Sequence, residues 1–347
     1  ACPGTGHAPP GRQGLTSREG GMRYILSRFG FYLIALWGSL TINFLLPRLA
    51  PGDPASTMME RMGGQMTPAQ LNELRVLYGV STHTSLLHQY GAYLAGLAHG
   101  NLGISTSYFP TPVSTVIASA IWWTLLLGSI ALILGFTIGV SLGVLVAWRR
   151  ATPVDSIVTP SSVFLASVPY FWLATAAVFL FGIKLGWFPV SHSYNIEQVP
   201  SFSWSFISDA AYHAILPAAT IIAVSIGNWL IVMRSTMISV LSEDYITMAT
   251  AKGLSPLRIA LSYGARNALL PVVTSGGIAV GFIVSGALLT EIVFSYSGVG
   301  YLLYTAVESL DYPLIQGLLV IITIGVLAAN LLVDLVYVLL DPRVRRP

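Results

Sequence analysis

What this chain has little of is charge. Asp, Glu, Lys and Arg make up 9% of its 347 residues, against about a quarter in an ordinary soluble domain, while 54% are hydrophobic and the mean hydropathy is +0.73. That balance excludes a soluble globular protein and points to the bilayer. The net charge of +3 and pI near 9.0 then report where basic side chains sit relative to a membrane, not a nucleic-acid surface. One cysteine, Cys2, leaves no internal disulfide and says nothing of the redox compartment. No G-x-x-x-x-G-K-[ST] phosphate loop occurs, so an ATP-driven role requires separate ATPase subunits. No nucleophile stands with a base and an orienting acid, so no catalytic residue is assigned. His83, His88, His99, His192 and His213 are scattered, without an i,i+4 ligand pair or a companion cysteine, and no metal site is expected.

What the chain does have is long apolar runs. Six of them, near 25–46, 119–147, 157–181, 214–233, 270–291 and 314–340, are long enough to cross about 30 Å of hydrocarbon, which takes roughly 20 helical residues. Met22-Arg23-Tyr24 reads as a natural start, so residues 1–21 are expected to be an upstream extension without structure, and 22–47 the first membrane helix. Six spans put both ends on one side. Arg23, Arg28, Arg149, Arg150, Arg234, Lys252, Arg258, Arg266, Arg343, Arg345 and Arg346 then fall inside, against Arg48, Arg61, Arg75 and Lys184 outside, which places both termini and the short 341–347 tail in the cytosol. Trp122, Trp123 and Trp148, near span ends, read as interfacial anchors.

Residues 48–118 are too polar for lipid and are expected to form an external lid. Thr67-Pro68 with Gln70 opens a helix carrying Leu71, Leu74 and Leu77 and closed by Gly79; Leu86, Tyr90, Leu94 and Leu97 mark a second, closed by Gly100. The other informative polar stretch, Leu241 to Pro271, faces the cytosol and reads LSEDYITMATAKGLSPLRIALSYGARNALLP. Ser242 before Glu243 and Asp244 suits a helix start, as does Ser255 before Pro256, and Gly253 supplies the stop between them. A mere connection between spans takes a handful of residues, so about thirty with their own caps imply a folded feature. The helix over 243–252, with Tyr245 and Met248 as larger side chains among Ala249 and Ala251, either lies in a groove of a cytosolic partner or folds only against its own bundle.

Tyr245, Ala249, Ala251-Lys252-Gly253, Arg266-Asn267 and Leu270-Pro271 resemble the coupling-helix signature of permease subunits in ABC importers of the dipeptide/oligopeptide/nickel family. The likeness extends over nearly the whole chain after Met22: Pro51-Gly52-Asp53-Pro54, Leu102-Gly103-Ile104-Ser105, Pro112-Val113, Glu291 with Phe294 and Gly298-Val299-Gly300, Asp311-Tyr312-Pro313, Asn330-Leu331, Asp334, Tyr337 and Asp341-Pro342-Arg343. It is similar to the member with the large external segment. Thr250, Asn101 and Ser297 depart from the family pattern, and Thr250 removes an Arg from the coupling helix.

The resemblance implies an all-α polytopic fold, the type I importer permease with six transmembrane helices. Residues 119–340 would be its five-helix core, with 234–269 as the cytosolic coupling loop, in a bacterial cytoplasmic (inner) membrane. It implies ATPase coupling through Glu243, Asp244, Tyr245, Met248, Ala249, Ala251, Lys252 and Gly253. The implied partners are a homologous second permease, two cytosolic ATPases holding ATP and Mg, an external solute-binding protein and the lipid bilayer, with no cofactor on this chain. The implied cargo is di- or oligopeptides, with nickel chelates and oligosaccharides as alternatives.

Three further features remain. Glu291, Glu308 and Asp311 form an acidic external group without a nearby cation; with Gly298 and Gly300 they are read as an external gate or a docking point for the binding protein, or else as a solvated loop face. Asp334, inside the last apolar run, is expected near the cytosolic end within reach of water, a helix terminus or Arg234. It has no second buried ionisable residue to form the relay a gradient-driven carrier needs. Gly276-Gly277, Gly281 and Gly286 predict tight helix contacts along one span.

Overall fold

In this computed structural model, residues 13–49, 85–281 and 288–340 are described, together with positions 59, 67, 70 and 73. Those residues are almost wholly helical, as expected. The first helix, α1, runs Gln13–Leu49, so helical backbone reaches back beyond Met22 into the segment expected to lack structure. No proline stands between Gln13 and Pro47, so nothing in the backbone stops the helix from propagating. External α2 (Leu86–Ala98) matches its expected bounds. Ser85 caps it by accepting the His88 N–H, and Gly100, at φ +72°, turns the chain beyond it. It is seated on the outer end of α1: the Thr41 and Tyr90 hydroxyls meet at 2.7 Å, Phe44 and Tyr90 rings pack edge to face, and Arg48 donates to Gln89 at 3.0 Å. Of the other expected external helix, Thr67 and Gln70 make a reciprocal capping box; Leu71, Leu74, Leu77 and Gly79 lie outside the described residues.

Among the described residues, four helices are long and apolar enough to span: Arg28–Leu46 within α1, α3 (Val113–Trp148), α6 (Trp204–Leu241), and Tyr312–Leu332 within α11 (Tyr312–Leu340). The span expected at 157–181 is not continuous. It consists of α4 (Pro153–Ser167) and α5 (Tyr170–Ala177, prolonged by the π-helical turn Val178–Lys184), meeting at 95°. Pro169 causes the break: it has no N–H for an intrahelical bond, and it holds Val168 extended at ψ 126°. Counted as one span, the bent pair makes five. The span expected at 270–291 crosses 282–287, outside the described residues; its flanks are α8 (Arg266–Gly281) and α9 (Leu288–Val293). Short helices α7 (Asp244–Ala251) and α10 (Val299–Glu308) complete the fold.

The core of the bundle is the α3–α6 pair. Hydrocarbon gives helices no hydrophobic reason to associate, so close backbone approach must do it. Gly135, Gly139 and Gly143 recur every fourth residue of α3. A Cβ on Gly139 would stand 2.6 Å from Trp229 Cβ and 2.9 Å from the Ile226 carbonyl; one on Gly143 would stand 2.7 Å from Met233 Cβ. Gly227 does the same for α6 against α4, where a Cβ would strike the Ser162 carbonyl. Of the glycines expected to mark tight contacts, Gly276 abuts the Phe136 ring; the side-chain surroundings of Gly277 and Gly281, and Gly286 itself, lie outside the described residues.

Two expectations about polar partners change. Asp334 accepts from Tyr32 at 2.7 Å and lies 3.6 Å from Arg28, because α1 packs beside α11. Arg234 is engaged elsewhere, donating to both Asp155 oxygens at 2.9 Å from the α6 face that meets α4. Trp123 stacks on Tyr194 and meets Tyr296 edge to face in an external aromatic cluster, whereas Trp122 is exposed like an anchor.

Candidate functional site: a coupling hairpin and an external gate

The element expected to face the cytosol begins where α6 ends. Ser242, expected to cap the next helix, instead closes α6: its hydroxyl donates to the Ser239 carbonyl at 2.7 Å. The reason is register, since α6 continues to Leu241 and leaves Glu243, extended at φ −77° and ψ 148°, as the residue before α7. Asp244 in the first turn suits the positive end of the helix dipole. Gly253 stands at φ +73° with open space where a Cβ would go, so conformation, not room, demands glycine there. Ser255 and Pro256 then start the return strand of the hairpin, through Pro256–Arg258 and the π-helical Ile259–Ala265 into α8.

α7 is amphipathic and divides its residues cleanly. Ile246 and Ala249 are buried against Ile259, with Leu241, Leu254 and Tyr263 around them. Glu243, Asp244, Tyr245, Met248, Ala251 and Lys252 are exposed, Met248 at 60%. Of the residues expected to meet a partner, Ala249 is therefore turned into the hairpin's own core, while Leu257, which the sequence did not single out, is 69% exposed beside them. Thr250, where the family pattern has Arg, returns its hydroxyl to the Ile246 carbonyl. The hairpin is fastened to the helices in several places: Asn267 donates to the Tyr245 hydroxyl at 3.2 Å and to the Tyr263 carbonyl at 2.9 Å, Gly264 lets Met237 and Leu241 pack close, and Ala260 is buried in one cluster with Ala147, Met233 and Met237.

The acids expected on the outer face do not form a solvated group. Glu291 and Asp311 have no accessible surface, and Glu308 alone is exposed. A buried carboxylate persists only where donors satisfy it. For Glu291 the donor is the Gly300 N–H, 2.6 Å from Oε2; Oε1 is buried without a hydrogen-bond partner among the described residues. Thr124 accepts the Val299 N–H at 2.8 Å, tying the start of α10 to α3. Gly298 and Gly300 are the seats of this carboxylate: a Cβ on Gly298 would strike it, and one on Gly300 would stand 2.6 Å from Leu288 Cα. Asp311 accepts from the Ser105 hydroxyl, from the Ser107 N–H at 2.9 Å, and from the Leu314 N–H at 3.2 Å, so it caps α11 and fixes the loop before α3 together. Ser105 stands in one of the blocks that carry the resemblance, but its bond to Asp311 was not anticipated, nor were Thr124 and Ser107; single hydroxyls carry no periodic signal. The four-residue glycine spacing in α3 was legible and went unread.

Comparison with known proteins follows the same lines. The family described as binding-protein-dependent transport system inner membrane component matches residues 139–346. The di/tripeptide transport system permease protein DppB of Pseudomonas aeruginosa is 34% identical, over 93% of this chain and 99% of its own length. The oligopeptide transport system permease protein AppB of Bacillus subtilis is 32% identical over 92% and 98%, and the dipeptide transport system permease protein DppB of Escherichia coli K12 is 32% identical over 93% and 99%. The chain is a multi-pass membrane protein and belongs to the family of binding-protein-dependent transport system inner membrane components.

Proposed function

We propose that this chain is one half of the translocation pathway of an ATP-driven importer of di- and oligopeptides. Its partners would be a homologous second permease, two cytosolic ATPases that hold ATP and Mg, and an external solute-binding protein that delivers the peptide. This chain itself would bind no nucleotide and hydrolyse none. Both termini lie in the cytosol in this reading, which the distribution of Lys and Arg supports.

One observation carries the coupling role: a short helix with a self-contained apolar core presents Tyr245, Met248, Ala251 and Lys252 outward from the cytosolic end of α6. Closure of the ATPases on ATP would displace that hairpin as a unit. Its attachment through Leu241 and through Asn267 would pass the displacement to α6 and α8, exchanging inward-open for outward-open states. Peptide cargo is supported by the relatives, which are named for di/tripeptide, dipeptide and oligopeptide transport and match over nearly their full lengths.

The test is purification from the native membrane in mild detergent, with mass spectrometry of what accompanies the chain, followed by uptake of labelled dipeptide by the reconstituted complex. Co-purifying ATPases, a second permease and ATP-dependent peptide uptake are expected. A chain reproducibly free of any ATPase would overturn the reading.

A further inference from the structure

Between the outer end of α3 and α10 lies an open cavity of about 480 Å³, within the size range of small-molecule sites. Seven of its eleven lining residues carry a hydroxyl and none carries a charge. Thr115 and Ser119 stand one turn apart on α3, and Tyr301 and Thr305 one turn apart on α10. The Ser119 and Thr305 hydroxyls return to their own helices, at the Val116 and Leu302 carbonyls. Those of Tyr108, Thr111, Thr115, Ser297 and Tyr301 bond no other described residue.

Both walls are held from behind by the buried carboxylates. Glu291 grips the Gly300 N–H beneath Ser297, Gly298 and Tyr301. Asp311 grips Ser105 and Ser107, and Ser105 in turn accepts the Tyr108 N–H at 3.1 Å. The acids thus set the width of the cleft without facing it.

A hydroxyl both donates and accepts, and every non-proline peptide residue offers one N–H and one C=O. A neutral, hydroxyl-lined cleft can therefore pair with a peptide main chain whatever its side chains, and it carries no charge to favour or repel particular sequences. We propose that this cleft binds the main chain of the peptide in transit, an inference that rests on the peptide reading above.

The test uses the complete importer with its binding protein in proteoliposomes, and two labelled dipeptides, one plain and one N-methylated at its peptide bond to remove the main-chain donor. Uptake is measured for the wild type and for a variant combining Thr115→Val, Ser297→Ala and Tyr301→Phe. Because the same binding protein serves both, the variant-to-wild-type ratio isolates the cleft. The variant should move the plain peptide about tenfold more slowly, and the penalty that N-methylation imposes on the wild type should largely disappear. Equal losses for the two peptides would place these hydroxyls against a partner protein and overturn the proposal, as would undiminished uptake of both. If wild-type importer moves no peptide, the peptide reading falls and takes this one with it; peptide uptake that the variant leaves intact sinks the cleft alone. Should the triple variant fail to assemble on gel filtration, Tyr301→Phe alone carries the same comparison between peptides.

Discussion

The hairpin after α6 and the loops around α10 occupy opposite ends of the bundle and are held together by opposite means. The hairpin has an apolar interior of Ile246, Ala249 and Ile259 and wears its charged residues outside. At the other end two carboxylates are fully buried while Tyr108, Phe109, Val307 and Leu310 are exposed. Apolar contacts are non-directional, so a unit built from them can be displaced as one body and still keep its internal packing. Hydrogen bonds from backbone N–H groups to a fixed carboxylate specify distance and angle. The hairpin can thus move as one body, while the loops around α10 hold a shape.

The sharpest way to break this contrast is to remove one acid from each end. Glu291→Ala strands the Gly300 N–H and leaves a void under Gly298, which should cost about 2–3 kcal/mol, seen as a clear drop in the unfolding temperature of the detergent-solubilised protein. Asp244→Ala at the hairpin removes only an exposed charge near a helix start, worth about 0.3–1 kcal/mol at most. Equal effects from the two substitutions would contradict the division drawn between the ends.

Gly253→Val comes next in size. At φ +73° a β-branched side chain strains the backbone by about 1–2 kcal/mol, enough to re-aim α7 relative to Pro256 without dissolving the membrane bundle. The protein should remain in the membrane at normal abundance while ATP-driven uptake is severely impaired. Gly253→Asn, which tolerates the left-handed region, should retain most of it. Unchanged uptake in the valine variant would remove the hairpin from the coupling path.

The two ends also differ in how far they could be read from the sequence. The hairpin's stop at Gly253 and its restart at Ser255-Pro256 were legible, because glycine and proline act through the backbone of their own residue. Ser242 misled by one register position: a hydroxyl beside two acids suits either the end of one helix or the start of the next, and only the length of α6 decides. Glu291, Gly298, Gly300, Glu308 and Asp311 were read as one group; the burial of Glu291 and Asp311 was not foreseen, and Glu308 alone of the three acids is exposed. The residues that tie this region together, Thr124, Ser105 and Ser107, come from segments far away in sequence, and no local pattern announces that pairing. The bend was signalled locally by Pro169, but the reading of 157–181 as one span followed its average hydropathy, which registers composition, not direction.

The smallest expected effect concerns the joint between the hairpin and the bundle. Tyr245→Phe keeps the ring and deletes the hydroxyl that accepts from Asn267, while Asn267 keeps its bond to the Tyr263 carbonyl. Nothing buried is left without a partner, since both side chains reach solvent, so the loss is about 0.5–1 kcal/mol or less and the unfolding temperature should hardly move. Transmission is another matter if this bond is one of the ties through which displacement of α7 reaches α8. Peptide taken up per ATP hydrolysed should then fall by up to about fivefold, the factor that corresponds to 1 kcal/mol, with ATP hydrolysis itself less affected. Asn267→Ala should reproduce the loss, and combining the two substitutions should add little to either, because both remove the same bond. Fully additive losses would mean that Tyr245 and Asn267 act on separate partners, with Tyr245 serving the ATPase face alone and α8 receiving its push through the apolar packing around Leu241.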